Sequence, residues 1–530
     1  MAAILRSVLS ISAVTALSRA TGYVRTAVWA AVLGTGVVAN AYAVAAGVPT
    51  LIYELFMGGI LWSIFVPLLV ERMTTHGEED AQRLTNALLT LILPFLAVLS
   101  ILCIVFAEPL VNISTRWEAA AISPEEQQET FDLAVLLFRF SILHVFFYGI
   151  GTIGTGVLNA HRQFILPTFA PVLNNVFAIA CFLGYALLAP RYPDAAIYLL
   201  AATTLGVAIM SLILLPAMYR LGYRLRPVFG HPALMPAVKL AGPMLVFVAA
   251  SFGLQFVVTL LSTSFFAVAQ VGFAFVVFSL PYGIFVIALE TALMPELSEQ
   301  HARGNLQGYG ETLSFGLRNI AFLMVPSTVG LIVLSNPIVG LLYERGQFTS
   351  EDTAVVADLL VAYSVGLLAY SVYFLLVRAF YSRQNTRTPA LLNVGVFLLY
   401  AALAYGLSSI SGVGVTGLAL ALTGTSIVFA IVALAATRSE IGRVGGRRLL
   451  RSLGKILVAG TAMYAAAWAG TMLLGVGSNF LDRVAILTLV GSASLAVYLG
   501  VAFLLGAEEL KSVVTLFRRR IGGAEDQAAE

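Results

Sequence analysis

Long apolar stretches separated by short polar breaks make up most of this chain. A helix that crosses a membrane needs about 20 consecutive, mostly apolar residues, and this pattern predicts fourteen such helices. The shortest break lies at 267–270, where two predicted helices meet almost without a loop. The predicted spans are 4–33, 38–70, 84–107, 131–157, 164–189, 194–219, 236–267, 268–297, 313–334, 354–381, 388–409, 414–437, 450–475 and 483–506.

The distribution of lysine and arginine gives this pattern an orientation. If the N-terminus is cytoplasmic, the inner segments carry 23 of the 30 basic residues, the outer segments carry four, and three lie within spans. Such an excess is typical of cytoplasmic loops. It supports an even number of spans and the division near residue 268, because merging those two helices would reverse every later segment. We therefore expect both termini to be cytoplasmic. The longest outer segment, 108–130, is expected to be an acidic connector or an amphipathic piece.

Composition excludes several classes of protein. Apolar residues make up 59% of the 530 positions and charged residues only 11%, with a formal net charge of +3. A soluble domain carries about a quarter charged residues, so a soluble enzyme, a disordered scaffold and a nucleic-acid-binding domain are all excluded. Two cysteines in apolar runs and five scattered histidines provide no disulfide framework, metal site or catalytic motif. We expect no cofactor and no metal.

Two pairs of similar segments indicate an internal repeat. The pattern P-x-L-x-E occurs at 67–71 and at 295–299, and Arg-Gln followed by a proline and Leu-Asn occurs from 162 and again from 383. The two offsets, 228 and 221, suggest a duplicated unit of six helices. An even-numbered unit repeats in the same orientation, which predicts an all-α fold of two six-helix lobes around a central cavity. The predicted parts are an N-terminal lobe at 1–219, a C-terminal lobe at 236–437, two additional helices at 450–506 and a cytoplasmic tail at 507–530.

Two arginines inside the first predicted span are the main candidates for function. An ionisable residue inside the membrane costs about 2.5–3.5 kcal/mol on insertion scales and by default suggests a functional role. Arg19 and Arg25 keep their charge and present a planar fork that suits phosphate, so they suggest an anionic ligand such as a pyrophosphate. The alternative is that one or both arginine side chains extend to the membrane–water interface or pair with a structural carboxylate.

Acidic residues and helix breakers complete the candidate set. Glu54 and Glu290 lie in the first helix pair of each predicted lobe, where either could pair with Arg19 or Arg25, carry a coupling proton or form a purely structural ion pair. Glycine and proline interrupt several spans, which suits helices that bend during transport but also occurs in static bundles. The hinge candidates are Gly22, Pro49, Gly58, Gly59, Gly242 and Pro243.

Several motifs in one order give the chain a resemblance to a known family. Leu17–Arg25 is similar to an S-R-x-x-G-x-x-R opening, and Gly47–Leu51, Leu55–Gly59 and Phe65–Pro67 are similar to its continuation. From residue 4 to about 510, the chain resembles the MurJ/MviN family of lipid II flippases. Further matching segments are Thr168–Pro171, Leu342–Thr349 and Tyr381–Pro389.

The resemblance implies a fourteen-helix fold of the multidrug/oligosaccharidyl-lipid/polysaccharide exporter superfamily. It also implies a flippase that moves lipid II, the undecaprenyl-pyrophosphate-linked peptidoglycan precursor, from the inner to the outer leaflet without ATP. The two C-terminal helices would form a groove for the lipid tail. Arg19 and Arg25 match the two essential basic positions of the family's first helix.

At other functional positions the chain differs from the family. Tyr53 and Val276 occupy the positions of cavity arginines in helices two and eight, and Thr26 and Asn40 occupy acidic positions. The candidates for lining the cavity are Tyr53, Glu54, Val276 and Glu290.

The resulting expectation is a transporter in the bacterial plasma membrane that works by alternating access for cell-wall peptidoglycan synthesis. Membrane potential or an ion gradient would drive it, and cell-wall synthesis proteins are expected partners. The open alternatives are a divergent paralogue that exports another polyprenyl-linked saccharide or a small amphiphile, a non-transporting scaffold of the cell-wall machinery, and a membrane glycosyltransferase.

Overall fold

The computed structural model describes residues 2–54, 65–118, 122–442, 444–477 and 479–510. These residues form helices and connecting turns, with no strand among them, which confirms the predicted all-α class. The helices are α1 (Ala2–Leu33), α2 (Val37–Glu54), α3 (Val66–Thr75), α4 (Glu78–Val105), α5 (Ala107–Ser114), α6 (Pro124–Ser141), α7 (His144–Ala160), α8 (Ile165–Leu188), α9 (Pro193–Ala201), α10 (Thr203–Leu212), α11 (Leu214–Arg220), α12 (Leu234–Ser264), α13 (Val268–Pro281), α14 (Ile287–Ala302), α15 (Leu306–Val333), α16 (Ser335–Tyr343), α17 (Ser350–Ser364), α18 (Leu367–Ser382), α19 (Arg387–Ser408), α20 (Thr416–Ile441), α21 (Gly446–Leu474) and α22 (Phe480–Leu504).

The helical stretches agree with the predicted spans. Eleven stretches within the described residues are long and apolar enough to cross a membrane, and α17 with α18, which meet at an angle of 51°, add a twelfth. Each corresponds to one of the twelve spans predicted from residue 84 onward. The first predicted span is the single 32-residue helix α1. The second covers α2, the start of α3 and residues 55–64, which lie outside the described residues. The total of fourteen stays a prediction with which the structure is consistent.

The short break at 267–270 separates two helices, as predicted. Helix α12 ends at Ser264 and α13 begins at Val268. Between them Phe266 adopts a left-handed φ of 55°, and the backbone N–H of Ala267 donates a hydrogen bond to the carbonyl oxygen of Ser262 at 3.0 Å. Because a left-handed residue ends a right-handed helix, two spans follow one another here with almost no loop.

The chain divides into two compact units. The N-terminal unit comprises Met1–Ala269 and Tyr343–Thr349, and the C-terminal unit comprises Gln270–Leu342 and Ser350–Glu530. Helix α12, which the repeat assigns to a second lobe beginning at residue 236, therefore clusters with the N-terminal unit. The repeat boundaries stay a prediction, because compactness and duplication are different properties.

In the N-terminal unit, the segment after α11 runs along α4. The amide of Asn86 donates to the carbonyl oxygen of Arg224 at 3.0 Å, and the backbone N–H of Val228 donates to Thr90 Oγ1 at 3.0 Å. The ring of His231 lies 3.3 Å from Asp80. These contacts fix a basic loop to the N-terminal half of α4.

Two helices overlap the acidic segment at 108–130. Helix α5 buries Ala107 and Val111 and exposes Glu108 together with Leu110 and Ile113. Helix α6 begins with a capping box, in which Ser123 and Glu126 each accept a hydrogen bond from the other's backbone N–H. The cap fixes the start of α6, because it satisfies two backbone donors that the helix leaves free.

In the C-terminal unit, the two last helices pack on α15. The hydroxyl of Tyr498 on α22 donates to the carbonyl oxygen of Phe322 at 2.8 Å. At the end of these helices, Arg318 of α15 contacts Glu508 at 3.0 Å and Glu509 at 3.1 Å. Helices α21 and α22, which correspond to the two additional helices predicted at 450–506, are thus fixed to α15 by an apolar interface and a charged cluster.

Candidate functional site

The two candidate arginines lie on one uninterrupted helix. Arg19 is exposed and Arg25 is half-buried on α1. Six helical residues separate them by about 9 Å along the axis and about 120° around it. Gly22 lies halfway between them, both along the axis and around it, so α1 presents no side chain at that position.

An asparagine of α8 lies against α1 between the arginines. The amide of Asn175 donates to the carbonyl oxygen of Ser18 at 3.3 Å and to Thr21 Oγ1 at 3.1 Å. A Cβ atom at Gly22 would lie 3.6 Å from the same amide nitrogen. Sequence reasoning missed Asn175, although two adjacent amide residues at 174–175 in an otherwise apolar helix were a signal.

No acidic partner of the two arginines is found among the described side chains of their unit, which do not include Glu54. Among the described residues of the N-terminal unit, no carboxylate lies within 4.0 Å of Arg19 or Arg25. Arg25 is close enough to Tyr42 and His144 to interact with both electrostatically. His144 Nε2 lies 3.1 Å from Thr204 Oγ1. Two guanidinium groups on an apolar helix, with no carboxylate partner among the described residues of their unit, favour an anionic ligand.

Asn40 holds the turn that follows α1. Its amide nitrogen donates to the carbonyl oxygens of Thr35, Gly36 and Phe266 at 2.7, 3.1 and 3.2 Å. Its side-chain oxygen accepts from the backbone N–H of Ala269 at 3.2 Å. The side chain is fully buried. It joins the α1–α2 turn to the α12–α13 turn, a structural role that the sequence comparison of this position did not reveal.

The Leu342–Thr349 motif also has a structural explanation. The segment Tyr343–Thr349 belongs to the N-terminal unit, where the backbone N–H of Gln347 donates to the carbonyl oxygen of Ala31 at 2.8 Å. Gly346 has a φ of 61°, and a Cβ atom there would collide with the same carbonyl oxygen. Only glycine combines this backbone conformation with this approach to the end of α1.

The remaining candidates of the first two spans are only partly described. Tyr53 and Glu54 are the last residues of α2, and their side chains lie outside the described set, as do Gly58 and Gly59 altogether. Helix α1 continues through Gly22 and α2 continues through Pro49. Helix α12 continues through residues 242 and 243. The hinge roles of Gly22, Pro49, Gly58, Gly59, Gly242 and Pro243 stay predictions.

Two candidates lie in the C-terminal unit. Val276 is half-buried on α13, and its carbonyl oxygen accepts a hydrogen bond from Ser279. Glu290 is buried on α14, where its Oε2 lies 3.7 Å from Nε of Arg378 on α18. Of the alternatives open for Glu290, the structure thus provides an ion pair inside its own unit. The described residues contain no group of three His, Cys, Asp or Glu side chains that could hold a metal ion.

The apolar helices, their count and the charges within them define a multi-pass α-helical membrane protein. Its fold is similar to that of a solved lipid II flippase MurJ in the inward closed conformation, with a TM-score of 0.74 and 23% identity over 96% of this chain and 99% of that one. It is also similar to an inward-facing multidrug resistance MATE family transporter of the MOP superfamily, with a TM-score of 0.65 and 15% identity over 82% and 96% of the two chains.

Sequence comparison identifies the family. The probable lipid II flippase MurJ of Rhizobium meliloti is 28% identical over 513 residues, which cover 94% of this chain and 93% of that protein. The family model described as lipid II flippase MurJ matches residues 29–483. The chain belongs to the lipid II flippase MurJ family, which confirms the resemblance seen in its motifs. The matched range begins after Arg25, so it does not itself test the two arginines.

Proposed function

We propose that this chain is a lipid II flippase, which moves the undecaprenyl-pyrophosphate-linked peptidoglycan precursor from the inner to the outer leaflet. Membership of the family supports this function. The structural observation that carries it is the pair Arg19 and Arg25, which has no carboxylate partner among the described residues of its unit. Guanidinium groups bind phosphate oxygens through paired, charge-assisted hydrogen bonds, so the pyrophosphate is the part of lipid II that they would bind.

The transport cycle would be alternating access. The headgroup would enter from the cytoplasmic side, and a change between access states would present it outside. No catalytic step is required, so the chain is a transporter and not an enzyme. Membrane potential or an ion gradient would drive the cycle; moving one charge through 100 mV yields about 2.3 kcal/mol.

Helices α21 and α22 would bind the isoprenoid tail. Large apolar side chains cover their outer faces, and this surface is suited to hydrocarbon rather than water. These exposed residues include Leu457, Val458, Trp468, Leu489 and Phe503. The same helices are firmly attached to α15, so they provide a fixed support along which a tail can lie.

The location would be the bacterial plasma membrane with both termini cytoplasmic. The segments that would be cytoplasmic in this orientation carry 23 of the 30 arginine and lysine residues, and this excess supports it. Partners would include cell-wall synthesis proteins that use the exported precursor.

Complementation of a flippase-depleted bacterium, paired with binding of purified protein to lipid II, tests the function. We expect Arg19→Ala and Arg25→Ala to abolish rescue and to weaken lipid II binding at least about tenfold, since a hydrogen bond to a charged group contributes about 1.5–3 kcal/mol. Arg139→Ala is the matched control, because Arg139 is an exposed arginine near the end of another span, and it should retain both activities.

Three outcomes would count against the proposal. Wild-type protein that neither rescues the depleted strain nor binds lipid II would overturn it. Tighter binding to a different polyprenyl-linked saccharide would favour the divergent paralogue, which Tyr53 and Val276 at the positions of family arginines also favour. Rescue by the double alanine variant would favour a non-transporting scaffold.

A further inference from the structure

Glu290 is a buried carboxylate, and only one of its two oxygens lies within ion-pair distance of a partner among the described residues. The side chain is 4% exposed, and its Oε2 lies 3.7 Å from Nε of Arg378. The other oxygen, Oε1, is buried and accepts no hydrogen bond from any described residue. A buried charged oxygen without a donor is costly, because burial removes the water that would otherwise solvate it.

The pairing with Arg378 is weak for a buried carboxylate. The distance of 3.7 Å is longer than a charge-assisted hydrogen bond of about 2.7–2.9 Å. The arginine side chain is 54% exposed, so its charge is partly solvated and screened. The ion pair therefore offsets only part of the cost of keeping Glu290 charged.

The backbone beside this site is irregular. Residues Tyr282–Val286 form a π-helical turn between α13 and α14, and such turns occur frequently at functional sites. The ring of Tyr282 packs edge-on against Tyr370 of α18 at 5.3 Å. This aromatic contact joins the turn to the helix that carries Arg378. Tyr282 is also within electrostatic reach of Glu290 and Arg378.

Several titratable groups on the neighbouring helices bond elsewhere or are exposed. On α15, Tyr309 bonds to Ala379 and Ser382, and Arg318 bonds to the carboxylates that follow α22. On α14 itself, Glu296 and Glu299 are exposed. The groups within electrostatic reach of Glu290 are Arg378 and Tyr282. The further titratable groups on the elements packed against α14 are His301, Glu311, Tyr370, Tyr373 and Tyr381.

We propose that Glu290 is a proton-binding site of the transporter, which links the transport cycle to protons. A proton that binds Oε1 converts the carboxylate to a neutral acid, whose O–H becomes a donor, and leaves Arg378 with its charge. A metal cation is disfavoured, because the site offers one carboxylate and a guanidinium group lies 3.7 Å away. The proton-binding step stands on its own, whereas its link to transport rests on the proposed lipid II flippase function.

Infrared difference spectroscopy of the purified protein tests proton binding without any substrate. Acid-minus-alkaline spectra should contain a protonated-carboxyl band that Glu290→Gln removes. Glu296→Gln, a change of an exposed glutamate on the same helix, should leave that band unchanged. Arg378→Gln should shift the titration of the band to higher pH, because a neighbouring positive charge favours the ionised carboxylate. The Arg378→Gln variant reports on the site even if Glu290→Gln fails to fold.

Proteoliposomes test the coupling. With membrane potential clamped, lipid II translocation by the wild-type protein should depend on an imposed pH gradient, and Glu290→Gln should lose that dependence while it still equilibrates lipid II. A spectrum without a band assigned to Glu290, or an unshifted titration in Arg378→Gln, overturns the site. If the Glu290 band is present but lipid II translocation does not depend on the pH gradient, only the coupling of proton binding to transport is overturned. Absence of any lipid II translocation by the wild-type protein instead counts against the proposed function and leaves the spectroscopic result valid.

Discussion

The backbone N–H of Ala269 donates a hydrogen bond to Oδ1 of Asn40 at 3.2 Å, across 229 positions of the sequence. The same amide group donates to three carbonyl oxygens, and that of Phe266 lies in the turn just before α13, the helix that contains Ala269. One buried amide side chain therefore satisfies backbone groups of two separate turns. An acidic residue, which the family resemblance places at this position, could accept but not donate while it is ionised.

Asn40→Asp should destabilise the N-terminal unit. The change removes the donors to three carbonyl oxygens and places a charge in a fully buried site, which should cost about 3 kcal/mol or more. Thermal unfolding of the purified protein in detergent measures the loss. Asn305→Asp is the control, because Asn305 caps α15 from an exposed position and aspartate caps a helix equally well. Equal midpoints for the two variants would refute the role of Asn40.

Gly346→Ala should disturb the contact between the Tyr343–Thr349 segment and the end of α1. The left-handed backbone should cost about 1–2 kcal/mol with a side chain, and the collision with the Ala31 carbonyl oxygen adds to it. Gly412→Ala separates the two effects, because Gly412 has a φ of 86° and a Cβ atom added there would have nothing within 4 Å. The unfolding midpoint should fall further for Gly346→Ala, and a similar fall in both variants would mean that the close approach contributes nothing.

Arg318→Met should weaken the attachment of α21 and α22 to α15. Glu509 is only 2% exposed, and removal of its arginine leaves a buried charge uncompensated, which costs about 3–5 kcal/mol. The exposed pair Arg303–Glu299 provides the control, since Arg303→Met should cost less than about 1 kcal/mol. Removing both charges with Arg318→Met and Glu509→Met should restore part of the lost stability. A double variant less stable than Arg318→Met would argue against an uncompensated charge as the cause.

The same cluster should make stability depend on pH in the acid range. Hydrogen bonds from Arg448 and Arg318 hold the pKa of the Glu508 carboxyl below its usual value. A lowered folded-state pKa gives stability that is present above the unfolded pKa of about 4.3 and is lost as pH falls through the folded-state pKa. Unfolding midpoints measured against pH should show this loss. Glu508→Gln should flatten that part of the curve, and high salt should reduce it because Glu508 is largely exposed. An unchanged pH profile in Glu508→Gln would contradict the assignment.

Local patterns predicted a large part of the fold. Runs of apolar residues predicted every membrane-crossing stretch from residue 84 onward, including the break at 267–270, because each span must be apolar along its own length. Charge asymmetry supported the same division, and the motifs indicated the family. The arginines of α1 were recognised because a permanent charge in an apolar helix is rare. Each of these properties belongs to one segment and needs no knowledge of its neighbours.

Side-chain pairing could not be derived in this way. Glu290 was a candidate from the sequence, yet its partner Arg378 was not, because nothing local states which helices pack against α14. Asn175 escaped notice because its partners lie more than 150 residues earlier. The position of Tyr343–Thr349 within the N-terminal unit likewise depends on a contact with α1.

The sequence by itself determined that this chain crosses a membrane many times and to which family it is similar, and it favoured one orientation, because lipid imposes an apolar requirement on each segment separately. Only the tertiary structure decided that, among the described residues of their unit, no carboxylate lies within 4.0 Å of Arg19 or Arg25, that Asn40 joins two turns and that Oε1 of Glu290 is buried without a hydrogen-bond donor. These outcomes depend on which polar groups meet after the helices pack, and a buried charge is stable or reactive according to those neighbours.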